Sequence, residues 1–378
     1  MADSSQMNIK TLFELTRCAV DELYPLPDLS GVDWEELYTF SNQQAITGVM
    51  FDLVQRLGGK EAGVPRQVLL KWFVQSDIIH KLNDTLNRYS VQTIHFLEQE
   101  GFRCLLLKGQ GNALMYPNPF ARLAGDIDLL VVPQHLSALP KNLEERRNVI
   151  LSFVRRKFPK SPLRYYHVDF PIYKDIPIEL HFEPCLMNNP LYNHRLQQWL
   201  GERTDEQFLH KVDLPEGAGC IPTPTLEYNI VFQMAHMMHH FFDEGIGLRQ
   251  MMDYYYLLKS ASKEKFGICN EDLELTLRNL NLYHFACAVM YVMREAFGMP
   301  DEWMIVPIDE RRGKCLMEEI LHGGNFGKYS GLTEHGTAAK YFLKHWRNMH
   351  FFVQYPVEAL SEPLFRTWHF FWRFKNRM

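Results

Sequence analysis

The chain has 378 residues, 46% of them hydrophobic and 22% charged, with a formal net charge of −5. That length suffices for two or three domains, and the composition is that of an ordinary folded globular protein rather than a disordered one. So small a net charge gives no general pull toward nucleic acid or an anionic membrane, and neither is expected as a partner.

In chain order, residues 8–57 read as helices. Leu12, Leu15, Val20 and Leu23, then Leu37, Ala45, Val49, Leu53 and Leu57, recur at helical spacing, with Pro25 and Pro27 between the two sets. From Val68 to Glu98 a long amphipathic pattern runs through Leu70, Trp72, Phe73, Ile78, Ile79, Leu82, Leu86 and Tyr89 and closes at Gly101. Residues 1–100 are therefore expected to form an N-terminal helical region. The sequon Asn83–Thr85 falls inside this helix and is read as chance.

Leu105, Leu106 and Leu107 predict a strand that runs into a glycine-rich turn, Lys108, Gly109, Gln110 and Gly111, which phosphate can approach. Asn112–Tyr116 follows as a possible helix start, and the proline-punctuated stretch Pro117–Arg122 is a loop. Lys108 is either a phosphate ligand or a solvated turn residue. Arg122 either clamps a phosphate or neutralises the aspartates that follow it. The second strand, Ile127–Val132, carries Asp126 and Asp128 at its start. Residues two apart share one face of a strand. Two such carboxylates repel, and each raises the other's pKa unless a cation lies between them. Magnesium or manganese, which take oxygen ligands, suits the position.

Residues 134–158 read as a charged helix with Glu144, Glu145, Arg146 and Arg147 on a solvated face. In 166–183, Val168, Phe170 and Ile172, then Ile176, Ile178, Leu180 and Phe182, alternate toward a core, and Lys174 and Asp175 break the run into a hairpin. The opposite face displays His167, Asp169, Glu179, His181 and Glu183, more charge than a buried sheet face carries without purpose. An antiparallel sheet with one solvated face gives the same alternation. Residues 101–220 are taken as the α/β core, ending in a mixed connection anchored by Trp199 and Leu200.

Residues 221–378 read as a C-terminal helical domain. Leu226–Phe242 and Leu248–Leu258 are periodic, with Gly245 and Gly247 between them. His236 and His240 lie four apart but lack the glutamate of a zinc-protease motif, so they read as packed histidines. Arg249 and Asp253, also four apart, read as an intrahelical ion pair. Helices follow over Leu273–Phe297 and Cys315–Leu321. HGGNFGKYSG, residues 322–331, lacks phosphate-loop spacing and reads as a loop, and the basic aromatic tail from Leu364 reads as a docked helix. Seven scattered cysteines make no disulfide framework. MADSSQMNIK lacks the order of a secretory signal, and no apolar run has the length of a membrane span. Together these point to the cytoplasm.

The phrase LLLKGQGNALMYPNPFARLAGDIDLLV, with IELHFEP and MAHMMHHFFDEGIGLRQMMDYYYLL further on, resembles the bacterial family of uncharacterised nucleotidyltransferases in the DNA polymerase β-like superfamily. The resemblance implies an α+β fold: a polymerase-β-like core of mixed sheet and helices, flanked by helical regions. It implies Asp126, Asp128 and Glu179 as metal-holding catalytic carboxylates for Mg2+ or Mn2+. It also implies Lys108, Gly109, Gln110, Arg122, His181 and Arg249 as nucleotide contacts. The activity implied moves a nucleoside monophosphate from a nucleoside triphosphate such as ATP to an unknown hydroxyl-bearing acceptor, a small molecule or a protein. Active relatives carry Gly-Ser or Gly-Gly where this chain has Lys108, Gly109 and Gln110, and their gap to the aspartates is shorter. That departure keeps a second reading in view, an inactive descendant that binds a nucleotide or a partner as a regulatory module. A third, metal-dependent phosphohydrolysis, uses the same carboxylates.

Overall fold

A computed structural model describes residues 8–264, 271–330 and 337–376. Three short helices, α1 (Ile9–Val20), α2 (Trp34–Gln43) and α3 (Thr47–Arg56), precede the long α4 (Arg66–Gln99). Asp33 starts α2 by accepting from the amides of Glu35 and Glu36, which satisfies two donors that have no intrahelical partner. One helix then serves two cores. The first half of α4 buries Val68 and Trp72 among the N-terminal helices, and its second half buries Leu86, Ile94 and Leu97 against the sheet. Leu70, Phe73 and Ile78, read in the sequence as part of the same stripe, are exposed.

The sheet contains β1 (Phe102–Leu106), β2 (Ile127–Pro133), β3 (His167–Asp169) and β4 (Ile178–His181), in the order β1-β2-β4-β3. The β1 and β2 strands are antiparallel, β2 and β4 parallel, and β3 and β4 antiparallel. The one-turn helix α5 (Gln110–Ala113) and α6 (Leu143–Lys157) lie in the connections. Alternate residues of β2 serve opposite faces. Ile127, Leu129 and Val131 pack with Ile150, Phe153 and Val154 of α6, whereas Leu130 and Val132 join the large helical core. The sheet is thus buried on both faces, not solvated on one. The helix predicted from residue 134 begins only at Leu143. Arg146 is buried, not solvated, and donates to the carbonyls of Ser137 (2.9 Å), Leu139 (2.7 Å) and Phe182 (3.1 Å), tying the preceding turn to the end of β4.

The mixed connection is more regular than its sequence suggested: α7 (Pro190–Gln207) and a hairpin of β5 (Lys211–Leu214) and β6 (Gly219–Pro222). Next come α8 (Leu226–Asp243), α9 (Leu248–Lys263), α10 (Glu271–Asn279), α11 (Tyr283–Phe297), α12 (Glu310–Gly323), α13 (Thr337–His350) and α14 (Pro356–Asn376). The single helix read over Leu273–Phe297 is broken where Asn281 takes φ 59°. The tail packs as a helix, with Phe365, Trp368 and Trp372 around Tyr165; Arg377 and Met378 lie outside the described residues, as does Gly331. Among the described residues no helix is long and apolar enough to cross a membrane.

Candidate active site

Strand register assembles the polar cluster. The parallel pairing of β2 with β4 sets Asp128 beside Glu179, and the antiparallel pairing of β3 with β4 sets Asp169 beside Glu179 and His167 beside His181. Of the five hairpin residues singled out from alternation, Glu179 and His181 therefore meet the aspartates from the adjacent β4, and His167 and Asp169 stand one strand further out, beside them on β3. The fifth, Glu183, does not: it is buried near Arg146 and Arg147, where burial pushes its carboxyl up to about 7 against the pull of the two arginines.

One oxygen from each of Asp126, Asp128 and Glu179 lies within 4.8 Å of the other two. They form part of the wall of a cavity of about 270 Å³ that α8 and α9 close from the other side. Asp128 is buried; His181 Nε2 donates to its Oδ1 at 3.0 Å, and Lys108 Nζ stands 3.1 Å from its Oδ2. That Oδ2 nonetheless receives no well-directed hydrogen bond. Glu179 Oε2 lies 3.3 Å from His181 Nε2 and 3.3 Å from His167 Nδ1. Asp126 opens to the cavity and has no ion-pair partner among the described residues.

The charges differ in how well they are supported. Burial raises Asp128, but Lys108 and His181 outweigh it and hold the carboxyl well below the usual range. The charge of Asp128, followed by burial, pushes Asp126 up. Burial works against a charged His181, yet its hydrogen bonds to Asp128 and Glu179 win and raise it to about 9. His167 goes the other way: burial and then the charge of His181 lower it to about 3, so it stays neutral.

The glycine turn behaves differently from its sequence reading. Gly109 takes φ 70°, ψ −112°, a conformation that favours glycine, and so turns the chain sharply after β1. Gln110 does not face the cavity. Its amide donates to Asn87 Oδ1 at 2.6 Å and Asn83 Oδ1 at 3.2 Å, while Asn83 in turn donates to the carbonyls of Phe120 and Arg122. The role of Gln110 is to fix the turn and the following loop to α4. Burial of Asn83 within this network also rules out the sequon as an accessible acceptor.

Lys108 is neither solvated nor free: besides Asp128, it lies 3.1 Å from His236 Nε2, and His236 lies 3.3 Å from His240, whose Nδ1 meets Glu244 at 2.8 Å. These histidines, read as packing residues, line the cavity. Arg122 does not neutralise Asp126 directly. Its Nε and Nη2 each donate to Asp253 at 2.7 Å, and Tyr116 donates to the same carboxylate at 2.6 Å. Asp253 is thus taken from Arg249, and the intrahelical pair predicted from spacing is replaced by one across elements. Arg249 instead donates to the Leu123 carbonyl at 3.0 Å and sits 5.2 Å over the Phe326 ring. Arg122 Nη1 and Arg249 Nε are buried without hydrogen-bond partners, and both residues line the cavity. Tyr116 and Phe326 were missed in the sequence. The φ of +55° that delivers Phe326 comes from tertiary packing, which no local pattern encodes.

A family model described as uncharacterised nucleotidyltransferase matches residues 30–298, more than half of the chain. No curated protein and no solved structure matches significantly.

Proposed function

The chain belongs to the uncharacterised nucleotidyltransferase family, and from that premise we propose that it transfers a nucleoside monophosphate from a nucleoside triphosphate to a hydroxyl-bearing acceptor. The reading assigns a polymerase-β-like role to the core, with Asp126, Asp128 and Glu179 holding Mg2+ or Mn2+. One observation carries it: three carboxylates, two at the start of β2 and one on β4, converge in a cavity whose walls also present Lys108, Arg122 and Arg249. The donor set fits such an ion. All three ligands are oxygens, Asp128 Oδ2 lacks a directed hydrogen bond, and Asp126 is unpaired and strained by its neighbour's charge. When bound, the ion gathers the triphosphate and offsets charge on the transferred phosphoryl group.

The remaining roles fall to the chain's own groups. Lys108, Arg249 and the unpartnered Nη1 of Arg122 supply positive charge and donors for the departing pyrophosphate. His181, hydrogen-bonded to Asp128, fixes that carboxylate's orientation. Glu179 also borders a second cavity of about 400 Å³ lined by Tyr165, Asp169, Phe365 and Arg366. An acceptor there would meet Glu179 from the adjoining cavity, with its hydroxyl proton directed to the carboxylate.

Two features favour the inactive, regulatory reading: the turn Lys108, Gly109, Gln110 in place of Gly-Ser or Gly-Gly, and the ammonium of Lys108, which already stands where a cation would neutralise Asp128. Labelled nucleoside triphosphates incubated with the protein, Mg2+ and a cell extract separate the two. The transferase reading expects a labelled acceptor, with Asp128→Asn slowing its formation on the order of 100- to 1,000-fold. Equal rates for parent and variant would remove the assignment, and nucleotide binding indifferent to Mg2+ in calorimetry would support the regulatory module.

A further inference from the structure

We propose that His167, Glu179 and His181 form a second cation site, selective for a borderline transition metal such as Zn2+ or Co2+ over Mg2+, on the acceptor side of Glu179. The site shares Glu179 with the proposed transferase centre; its metal binding stands apart from that reading, and its role toward an acceptor rests on it.

The geometry is that of a three-ligand set. A nitrogen from each histidine and an oxygen from Glu179 lie within 4.8 Å of one another. Two of the separations, His167 Nδ1 to Glu179 Oε2 and His181 Nε2 to the same oxygen, are 3.3 Å. Ligand atoms about 2.05 Å from a tetrahedral ion stand roughly 3.3 to 3.4 Å apart, so a zinc-sized ion needs little rearrangement. Without metal, His181 Nε2 carries a proton and donates it to Asp128 Oδ1 at 3.0 Å; the ion takes the place of that proton, which leaves to solvent on binding.

Independent support comes from His167. Its side chain is only 7% exposed, and its Nδ1, aimed at Glu179, has no hydrogen-bond partner. A buried ring nitrogen in that state lacks the compensation that buried polar atoms normally find. On the other edge of the ring, Asp169 Oδ1 lies 3.8 Å from Nε2, which favours the proton there and leaves the Nδ1 lone pair for a ligand. Both histidines and Glu179 sit on paired strands, so their spacing is set by sheet register rather than by mobile loops.

The ligand types decide which ion binds. Two imidazoles and one carboxylate suit borderline divalent metals, whereas Mg2+ demands an oxygen octahedron and gives up water reluctantly. His167 and Glu179 also line the second cavity, so an ion held there faces the acceptor and can polarise its hydroxyl.

The test uses the full chain freed of metal by chelation and titrated with CoCl2. The expected result is one tight equivalent whose visible absorption bands report a low-coordinate, nitrogen-containing site, displaced by Zn2+ but not by a hundredfold excess of Mg2+. Asp126→Asn should keep this signal while losing Mg2+-dependent nucleotide binding, which separates the site from the transferase centre. His167→Gln should weaken Co2+ on the order of 100-fold, and His167→Asp should regain part of the loss through its oxygen donor. Displacement of Co2+ by Mg2+ in the parent protein, or parental affinity in a folded His167→Gln, would overturn the proposal. The competition in the parent decides the matter even if that variant does not fold.

Discussion

Two buried aspartates, Asp253 on α9 and Asp128 on β2, face opposite walls of the same cavity and are supported in contrasting ways. Both Asp253 oxygens are taken, by two arginine nitrogens and a tyrosine hydroxyl at 2.6 to 2.7 Å. Asp128 has one oxygen on His181 and another that an ammonium approaches without a directed hydrogen bond. A carboxylate with both oxygens engaged and three of its roughly four acceptor positions filled has little left to offer a ligand, and its network tends to hold structure together. A carboxylate held on one side only keeps acceptor capacity directed into the cavity. The contrast teaches that burial and charge alone do not separate a carboxylate open to a ligand from one that is fully engaged; an acceptor oxygen without a directed hydrogen bond does.

The largest expected effect breaks the first member of the comparison. Asp253→Ala strips Arg122 of its one carboxylate partner among the described residues and leaves a guanidinium buried, so unfolding in denaturant should show a loss of about 3–5 kcal/mol. Asp128→Asn also removes a charge that Lys108 and His181 meet, but the amide keeps the side chain's size, Lys108 is partly exposed and His181 can release its proton, so it should lose less stability than that while losing transfer. Comparable destabilisation by the two variants would mean that Asp128 is structural as well.

Legibility in the sequence follows the same line. Strand alternation exposed Asp126, Asp128, Glu179, His181 and His167 because period-two patterning survives any tertiary context. The long α4 was legible from its periodicity. What stayed hidden were pairings between distant segments. Spacing of four made Arg249 and Asp253 look like partners, yet Arg122, more than a hundred residues upstream, reaches Asp253 with a better bidentate geometry. Gln110 looked like a phosphate contact because it lies in a glycine turn, and only the fold reveals Asn83 and Asn87 waiting behind it. The β5–β6 hairpin was hidden because Lys211, Asp213 and Cys220 face outward and its strands have only four residues each.

A smaller effect separates the two aspartates by pH. The folded protein binds the His181 proton up to about 9, above the ordinary 6.5. Its stabilisation is therefore complete below about 6.5 and is lost as pH rises through 9. Asp253 is lowered by Arg122 despite its burial, so its contribution is lost only as acid is added. Between 4.5 and 7 the signals mix: neutral His167 and His239 lose stability as pH falls, and Glu183 and Glu358, both raised to about 7, lose it as pH rises. The clean window runs from about 7 to about 8.5, below the range where burial of thiols such as Cys104 and Cys185 begins to act. In chelator, the melting temperature should decline across it by a few degrees, since about 1 kcal/mol moves a chain of this size by roughly 2–4 °C or less. His181→Gln should flatten that decline, and a parent curve already flat over the window would contradict a charged His181.

The smallest shift, and the sharpest use of the contrast, concerns Asp126. Its carboxyl is raised chiefly by the charge of Asp128, so at neutral pH the ionised Asp126 works against the fold when no cation is present. Asp126→Asn removes that repulsion, and in chelator the variant should melt slightly above the parent. Adding Mg2+ with a nucleoside triphosphate reverses the order. A ligand at a hundred times its dissociation constant stabilises the parent by about 2.7 kcal/mol, and the variant, short of one ligand, gains little. The two melting curves should therefore cross between the metal-free and loaded conditions. No equivalent crossing is expected at Asp253, whose oxygens are already spoken for by arginine and tyrosine. Parallel curves for parent and Asp126→Asn in both conditions would show that the open aspartate binds no cation, leaving Lys108 and His181 as the charges that Asp128 meets.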